Sequence, residues 1–373
     1  MINPFLTYGY AGPEYFCDRV EETKRLTTLL TNGNHVALIS PRRMGKTGLL
    51  THCFSQKEIT DHYYTFIVDV YATKTMAEFT FELGKSILAV LKSKGRKAWE
   101  KFLAIAGSLR SGVTLDEFGK PSWNLEIGDI KNPIVTLDEI ISYLQQAGRP
   151  CLVAIDEFQS IAEYKEKNVE AVLRTYIQRC NNAWFVFSGS RRHMMGEIFS
   201  SPARPFYQSA TTMSLKPIPL CSYSEYIRQH FVNNGRDIDT EAIKDIYDRF
   251  DGTTWYIQKV ANELFPYTDK GQTVHVCDIM PAIHRVLGDN EEIYKDTLYR
   301  LSSKQKAVLI ALAKAGPDAK VTSGQFIKTY KLPSASSVQK ALEALMEKEL
   351  VTCELGTYKV YDYFFNIWIS ENV

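Results

Sequence analysis

Seven cysteines, Cys17, Cys53, Cys151, Cys180, Cys221, Cys277 and Cys353, are scattered over 373 residues without one CxxC pair. An odd count at such spacing argues against both a disulfide framework and a structural zinc site. The chain also lacks any stretch approaching ~18 consecutive apolar residues, and its start, MINPFLTYGYAGPEYF, has no basic segment leading into an apolar one. Neither a membrane partner nor a secretory leader is therefore expected, and the reading is a cytoplasmic protein. Charge of one sign is missing too: 44 Lys and Arg stand against 43 Asp and Glu, a formal +1. Bulk composition thus argues for neither a polyanion binder nor an enzyme of acidic substrates. Seven histidines, His35, His52, His62, His193, His230, His275 and His284, show no metal-ligand spacing, which leaves a nuclease-like toxin or defence effector without its chemistry. His52 adjoins Cys53, but adjacent residues on a helix do not face each other, so Cys53 reads as core rather than as half of a dyad. Repeats and low-complexity tracts are absent as well.

What is present is an alternation of buried strands and amphipathic helices, and 373 residues suffice for two or three domains. A helix over 18–31 closes in an Asn-Gly-Asn turn at 32–34, and Val36–Ile39 follows as a short buried strand. Tyr64–Asp69 is a second strand, and Met76–Leu91 a helix with Phe79, Leu83, Ile87, Leu88 and Leu91 on one side. Residues 107–133 carry glycines at 107, 112, 119 and 128 with Pro121 and Pro133, and read as an irregular insert or hairpin. Helix Leu137–Gln146, strand Cys151–Ile155, helix Val169–Arg179 and strand Trp184–Phe187 resume the pattern, with Thr212–Leu215 as its last strand. This order predicts an α/β parallel sheet covered on both faces. Pro217 and Pro219 mark a boundary, after which the period is helical throughout 222–297. Beyond 298, helices at 303–314 and 335–349 precede two short strands around Gly356, the pattern of a winged helix. The expected domains are 1–216, a helical lid 217–297 and a winged helix 298–373.

The chemistry is concentrated at the ends of strands. Ser40-Pro41-Arg42-Arg43-Met44-Gly45-Lys46-Thr47, with Gly48 behind it, follows the first strand and opens a helix. It satisfies the phosphate-loop pattern of Gly, four residues, Gly-Lys-Ser/Thr, except that Ser40 stands at the first Gly. Backbone N–H groups of such a loop wrap a phosphate, Lys46 would neutralise the β and γ phosphates, and Thr47 would place its hydroxyl on Mg²⁺. CLVAIDEF ends another buried strand in Asp156 and Glu157. An acid there can hold Mg²⁺ and its neighbour can deprotonate an attacking water, whereas the plain alternative is two acids capping a strand at the surface. Ligands of parallel α/β sheets bind beyond the carboxyl ends of strands, which favours the first reading. Ser188 or Ser190, in AWFVFSGSRRHMM, could bond the γ-phosphate or that water, or simply form a turn. Arg191, Arg192 and Arg204 are possible phosphate or intersubunit arginines, or surface charges.

Taken together, FCDRVEET, SPRRMGKTGLL, IDEFQSI, FVFSGSRRHM, FDGTTWYIQKVANEL and KVYDYFFNIWI resemble the archaeal-type ATPases of the STAND class, relatives of AAA+ proteins also found in Bacteroidetes. The likeness spans essentially the whole chain. It implies a strand inserted between the phosphate-loop strand and the acid-bearing strand, then a helical lid and a winged helix. It also implies Phe16, Asp18 and Arg19 near adenine and ribose, Asp156 on Mg²⁺, and Glu157 as the base. Departures are Ser40 for Gly, Asp251-Gly252-Thr253-Thr254 for a Gly-Gly-x-Pro-like turn, and Phe206-Tyr207-Gln208-Ser209 for Tyr-Gly-Arg.

The expected function is an ATPase with ATP/ADP and Mg²⁺ as cofactors, Lys46 and Glu157 as catalytic groups, acting as a nucleotide-driven switch. The alternative is a winged-helix DNA-binding regulator that keeps ATP as a structural ligand. DNA is the less favoured partner, because residues 301–373 hold nine Lys, seven acids and no Arg. A protein partner or self-association is compatible with the sequence and not written in it.

Overall fold

An apolar run with no polar face makes a strand only where both of its faces are covered. β1 (Val36–Ile39) is such a strand, buried at all four positions, with α1 (Val20–Thr31) before it and α2 (Lys46–Ser55) after it. The computed structural model describes residues 3–110, 113–115, 121–123, 130–316, 319–354 and 356–373. It divides into two units, Tyr8–Ser222 and, separately, Met1–Thr7 with Tyr223–Val373.

The first unit continues with β2 (Tyr64–Asp69), α3 (Met76–Ser93), α4 (Arg96–Ile105), α5 (Pro133–Gln146), β3 (Cys151–Asp156), α6 (Val169–Arg179), β4 (Ala183–Gly189), α7 (Arg192–Ser200) and β5 (Thr211–Met213). Its five strands are all parallel, in the order β2-β3-β4-β1-β5. β4 therefore lies between the loop strand β1 and the acid-bearing strand β3, as the family resemblance implies. Strand alternation sorts the side chains between two cores. Val36 and Leu38 pack with Leu26, Leu49 and Leu50 on one face, while Ala37 and Ile39 join Phe66, Val153, Phe187 and the inner sides of α3, α5 and α6 on the other. Because every strand runs the same way, Ser40, Asp69, Asp156 and Ser190 all fall at one edge of the sheet.

In this unit the helices Lys57–Thr60, α4 and α7 go beyond the sequence reading, the last starting inside the Ser-rich segment after β4. In the insert, Gly107–Arg110 is helical and Val113–Leu115 pairs antiparallel with Pro121–Trp123. Its glycines 112, 119 and 128 lie outside the described residues.

The second unit comprises most of α8 (Leu220–Asn233), then α9 (Thr240–Arg249), α10 (Thr254–Leu264), α11 (Ile279–Asp289), α12 (Glu291–Tyr299), α13 (Ser303–Ala315), α14 (Gly324–Thr329), α15 (Ala335–Glu347), β6 (Val351–Glu354), β7 (Thr357–Val360) and α16 (Tyr363–Asn372). The segment 222–297 is not helical throughout, since Asp237–Ile238 and Thr273–Val274 form a short parallel pair. Helices α13 to α15 with the antiparallel β6–β7 hairpin make the winged helix. The aromatic segment after β7 is helical: Asp362 accepts from the Phe365 N–H at 3.1 Å and starts α16, whose Phe365 and Trp368 pack on Tyr294. Lys359 Nζ and Tyr363 OH both reach Asp251 Oδ2, at 2.9 and 2.8 Å, which ties the turn before α10 to the wing and α16. Among the described residues no helix is long and apolar enough to cross a membrane.

Candidate functional site

The loop after β1 turns on two left-handed residues, Arg43 at φ +69° and Gly45 at φ +88°. Gly45 is the left-handed N-cap of α2, a conformation glycine adopts without cost, and it sets the loop at the helix start, whose backbone N–H groups favour an anion. Ser40, by contrast, does not adopt a left-handed conformation. Its buried hydroxyl accepts from the Leu215 N–H at 2.5 Å, and its own N–H donates to Gly189 O at 3.3 Å. The serine at the first glycine position thus fastens the loop to β4 and to the segment after β5.

Lys46 is 6% exposed and donates to the loop carbonyls of Ser40 and Pro41 at 2.9 and 3.0 Å. Burial pulls its pKa below the ordinary lysine value, opposed by the nearby carboxylates of Glu157 and Asp156. Thr47 Oγ1 donates to Asp156 Oδ2 at 2.6 Å, joining loop and acid across 109 residues. Glu157 sits at φ +54°, and its N–H donates to Asp156 Oδ1 at 3.1 Å. Its Oε2 accepts from Ser190 Oγ at 2.8 Å and from Gln159 Nε2 at 2.5 Å. The two serines of the third motif therefore part company. Ser190 meets Glu157, whereas Ser188 is buried with its Oγ unpaired.

Near the start of the unit, Phe16 stacks on His52 with ring centroids 4.2 Å apart, and Tyr10 OH meets His52 Nδ1 at 2.8 Å. Phe16 also lies 3.5 Å from where a Cβ of Gly48 would sit. Asp18 is exposed, at φ +55°. Arg19 is buried, and its guanidinium donates to Glu22, to Lys216 O at 2.7 Å and to Met44 O at 3.2 Å. Its charge is thus directed at protein groups that brace the loop. Arg42 lies over the Tyr71 ring. Of the arginines after β4, Arg191 pairs with Glu163, Arg204 with Glu170 and Glu197, and Arg192 is exposed.

The sequence reading missed Asp69 and Gln159. Asp69 ends β2 in register with Asp156; burial raises its pKa, the Tyr71 N–H lowers it, and Asp156 and Glu157 raise it further. An acid at the carboxyl end of a buried strand is the signal that identified Asp156, and it applied to Asp69 equally. Among the described residues no cluster of three or more His, Cys, Asp or Glu could hold a metal ion by itself. The Thr47–Asp156 pair suits an ion whose remaining ligands come from a nucleotide's phosphates and water.

Residues 16–260 match a family model described as an ATPase domain predominantly from Archaea, and residues 292–371 match one described as a probable winged helix domain. An uncharacterized protein of Methanocaldococcus jannaschii is 23% identical over 258 residues, 68% of this chain and 46% of that protein, so the chain spans about half the length of this relative. Among solved structures, a Walker-type ATPase of Pyrococcus abyssi superposes with a TM-score of 0.67 at 19% identity, over 98% of this chain and 99% of that one. The ORC2 protein of Aeropyrum pernix, solved in ADPNP–ADP complexes, gives 0.60 at 14% identity, over 99% and 96%. At these identities the structural likeness establishes the fold.

Proposed function

Since the chain belongs to the family of ATPase domains found predominantly in Archaea, we propose that it binds ATP with Mg²⁺ at the loop Ser40–Thr47 and hydrolyses it with Glu157. The observation that carries this reading is the 2.6 Å contact between Thr47 Oγ1 and Asp156 Oδ2 beside the buried Lys46, at the carboxyl edge of a parallel sheet. Bound Mg²⁺ would supply positive charge to offset that of the phosphates. Lys46 supplies a cation that burial leaves poorly solvated, so it gains by exchanging loop carbonyls for phosphate oxygens. Thr47 and Asp156 form the metal side of the site. Glu157 takes a proton from water, and Ser190 steadies it. Phe16, with Tyr10 and His52, offers an aromatic surface for adenine, and Asp18, two residues further on, is exposed for the ribose. Arg19 acts by bracing Met44, inside the loop.

The finer reading is a STAND-class, AAA+-like switch in which ATP and ADP favour different arrangements of the ATPase domain, the lid (217–297) and the winged helix (298–373). The nucleotide complexes of the Aeropyrum ORC2 protein support a nucleotide ligand on this fold. Calorimetric ATP titration and phosphate release, run together, test the site. Lys46→Ala should abolish measurable affinity in a folded protein, and Glu157→Gln should keep affinity while turnover falls by roughly 10²-fold or more. Unchanged ATP affinity in Lys46→Ala would sink the phosphate-loop assignment.

A further inference from the structure

We infer that Gln159 is a positioning residue for Glu157, fixing which carboxylate oxygen faces the attacking water; the inference rests on the hydrolytic reading above. Gln159 lies in the 3₁₀ turn Phe158–Glu163, immediately past the acid pair, and is 2% exposed. The turn is pinned by Phe158, which is fully buried against Phe187, Phe199 and Phe206 with centroids 4.6, 5.9 and 5.3 Å away. Glu157 and Gln159 flank that pivot, so their side chains are held in a fixed relation. Only one orientation of the amide is chemically sensible. Nε2 donates to Glu157 Oε2, whereas the reverse would set an amide oxygen against a carboxylate oxygen. Ser190 donates to the same Oε2. Both donors thus engage one oxygen, and no described residue donates to Oε1. Oε1 is left as the oxygen that receives a proton.

The other end of the amide argues that this contact is its purpose. Gln159 Oε1 is buried without a hydrogen-bond partner, an arrangement that disfavours the folded state. It is admitted because residue 189 has no side chain: a Cβ on Gly189 would lie 2.5 Å from Gln159 Oε1 and 2.4 Å from Met195 Sδ. A structural glutamine would be expected to satisfy both ends of its amide. This one satisfies only the end that faces Glu157.

The two roles make opposite predictions for Gln159→Met, which keeps the length and apolar stem but removes both polar atoms. If the residue were structural, the variant would lose stability and activity together. As a positioning residue it should lose activity alone, because deleting an unpaired buried oxygen relieves the fold. Single-turnover phosphate release by the full chain should slow by on the order of 10-fold, the scale of a modest misplacement of a reacting group. Affinity for ATP should not change, and the unfolding temperature should be equal or higher. A wild-type rate, a faster rate, or a loss of rate matched by a loss of thermal stability would overturn the inference while leaving the hydrolytic reading intact. A wild-type protein that binds ATP and never turns it over would overturn both.

Discussion

Ser40→Gly restores the residue that the phosphate-loop pattern asks for, and the structure predicts that it weakens the protein. Glycine helps where φ is positive, and Ser40 is not among the residues in that region. What the substitution removes is a fully buried hydroxyl that accepts from the Leu215 N–H at 2.5 Å and lies 3.4 Å from the Leu215 carbonyl. An amide left without its partner in that position costs about 1–3 kcal/mol. The added backbone freedom of glycine in the unfolded chain costs a further 0.5–1 kcal/mol or so. Ser40→Ala bears only the first cost, so the two variants separate the terms. For a domain of this size each kcal/mol lowers the unfolding temperature by about 2–4 °C, which puts Ser40→Ala roughly 4–8 °C below wild type at a mid-range loss of about 2 kcal/mol. Ser40→Gly should fall lower still. Scanning calorimetry of the two variants and wild type, with ATP affinity measured alongside, decides the matter. A Ser40→Gly protein as stable as wild type would show that the Leu215 bond does not hold the loop, and the account of why serine is tolerated here would fail.

Three other outcomes are expected. With a thiol reagent at about pH 8 the native protein should modify quickly at the exposed Cys221, Cys277 and Cys353 and slowly at the four buried cysteines, because burial pushes Cys17 and Cys151 up to about 12 and Cys53 up to about 11; counting fast thiols by mass spectrometry checks this. His275 is raised above its usual 6.5 by its 2.6 Å bond to Asp239, so the charged pair contributes to folding below the ordinary histidine pKa and is lost as pH rises through the raised value. An NMR titration of Asp239→Asn should bring the His275 midpoint down. Fluorescence anisotropy of the full chain on mixed duplex DNA at near-physiological salt should show no sequence-selective submicromolar binding, since α15 presents Gln339 and Glu343 and its leading serines are engaged in capping at Ser334; such binding would promote the regulator reading.

The features legible in the sequence were those set by a single segment. β1, β2 and β3 were readable because each is an apolar run short enough to be only a strand, and the loop after β1 because its glycine, lysine and threonine are contiguous. Helix α7 was lost to its own start, where Ser-Gly-Ser-Arg-Arg looks like a turn and the apolar period sets in only at Met194. The strand pair Asp237–Ile238 with Thr273–Val274 is two residues long on each side, too short for alternation to register. α16 hid for a different reason. Its aromatic run has apolar residues on most sides, as expected of a helix buried against several neighbours rather than one.

Within the site the same distinction separates what is chemical from what is positional. Residues that would touch phosphate or metal are constrained by the ligand, so they fall into fixed spacings within one loop or at one strand end. Residues that hold those groups in place are constrained only by each other. Ser40 answers to Leu215 across 175 residues, Arg19 to Lys216 across 197, and Ser190 to Glu157 across 33. No local pattern encodes such pairs, because any segment that supplies a donor at the right place would serve. The serine that breaks the loop's expected pattern is a case in point. Read along the chain it is a missing glycine, and read across the sheet it is the residue that ties β1 to the end of β5.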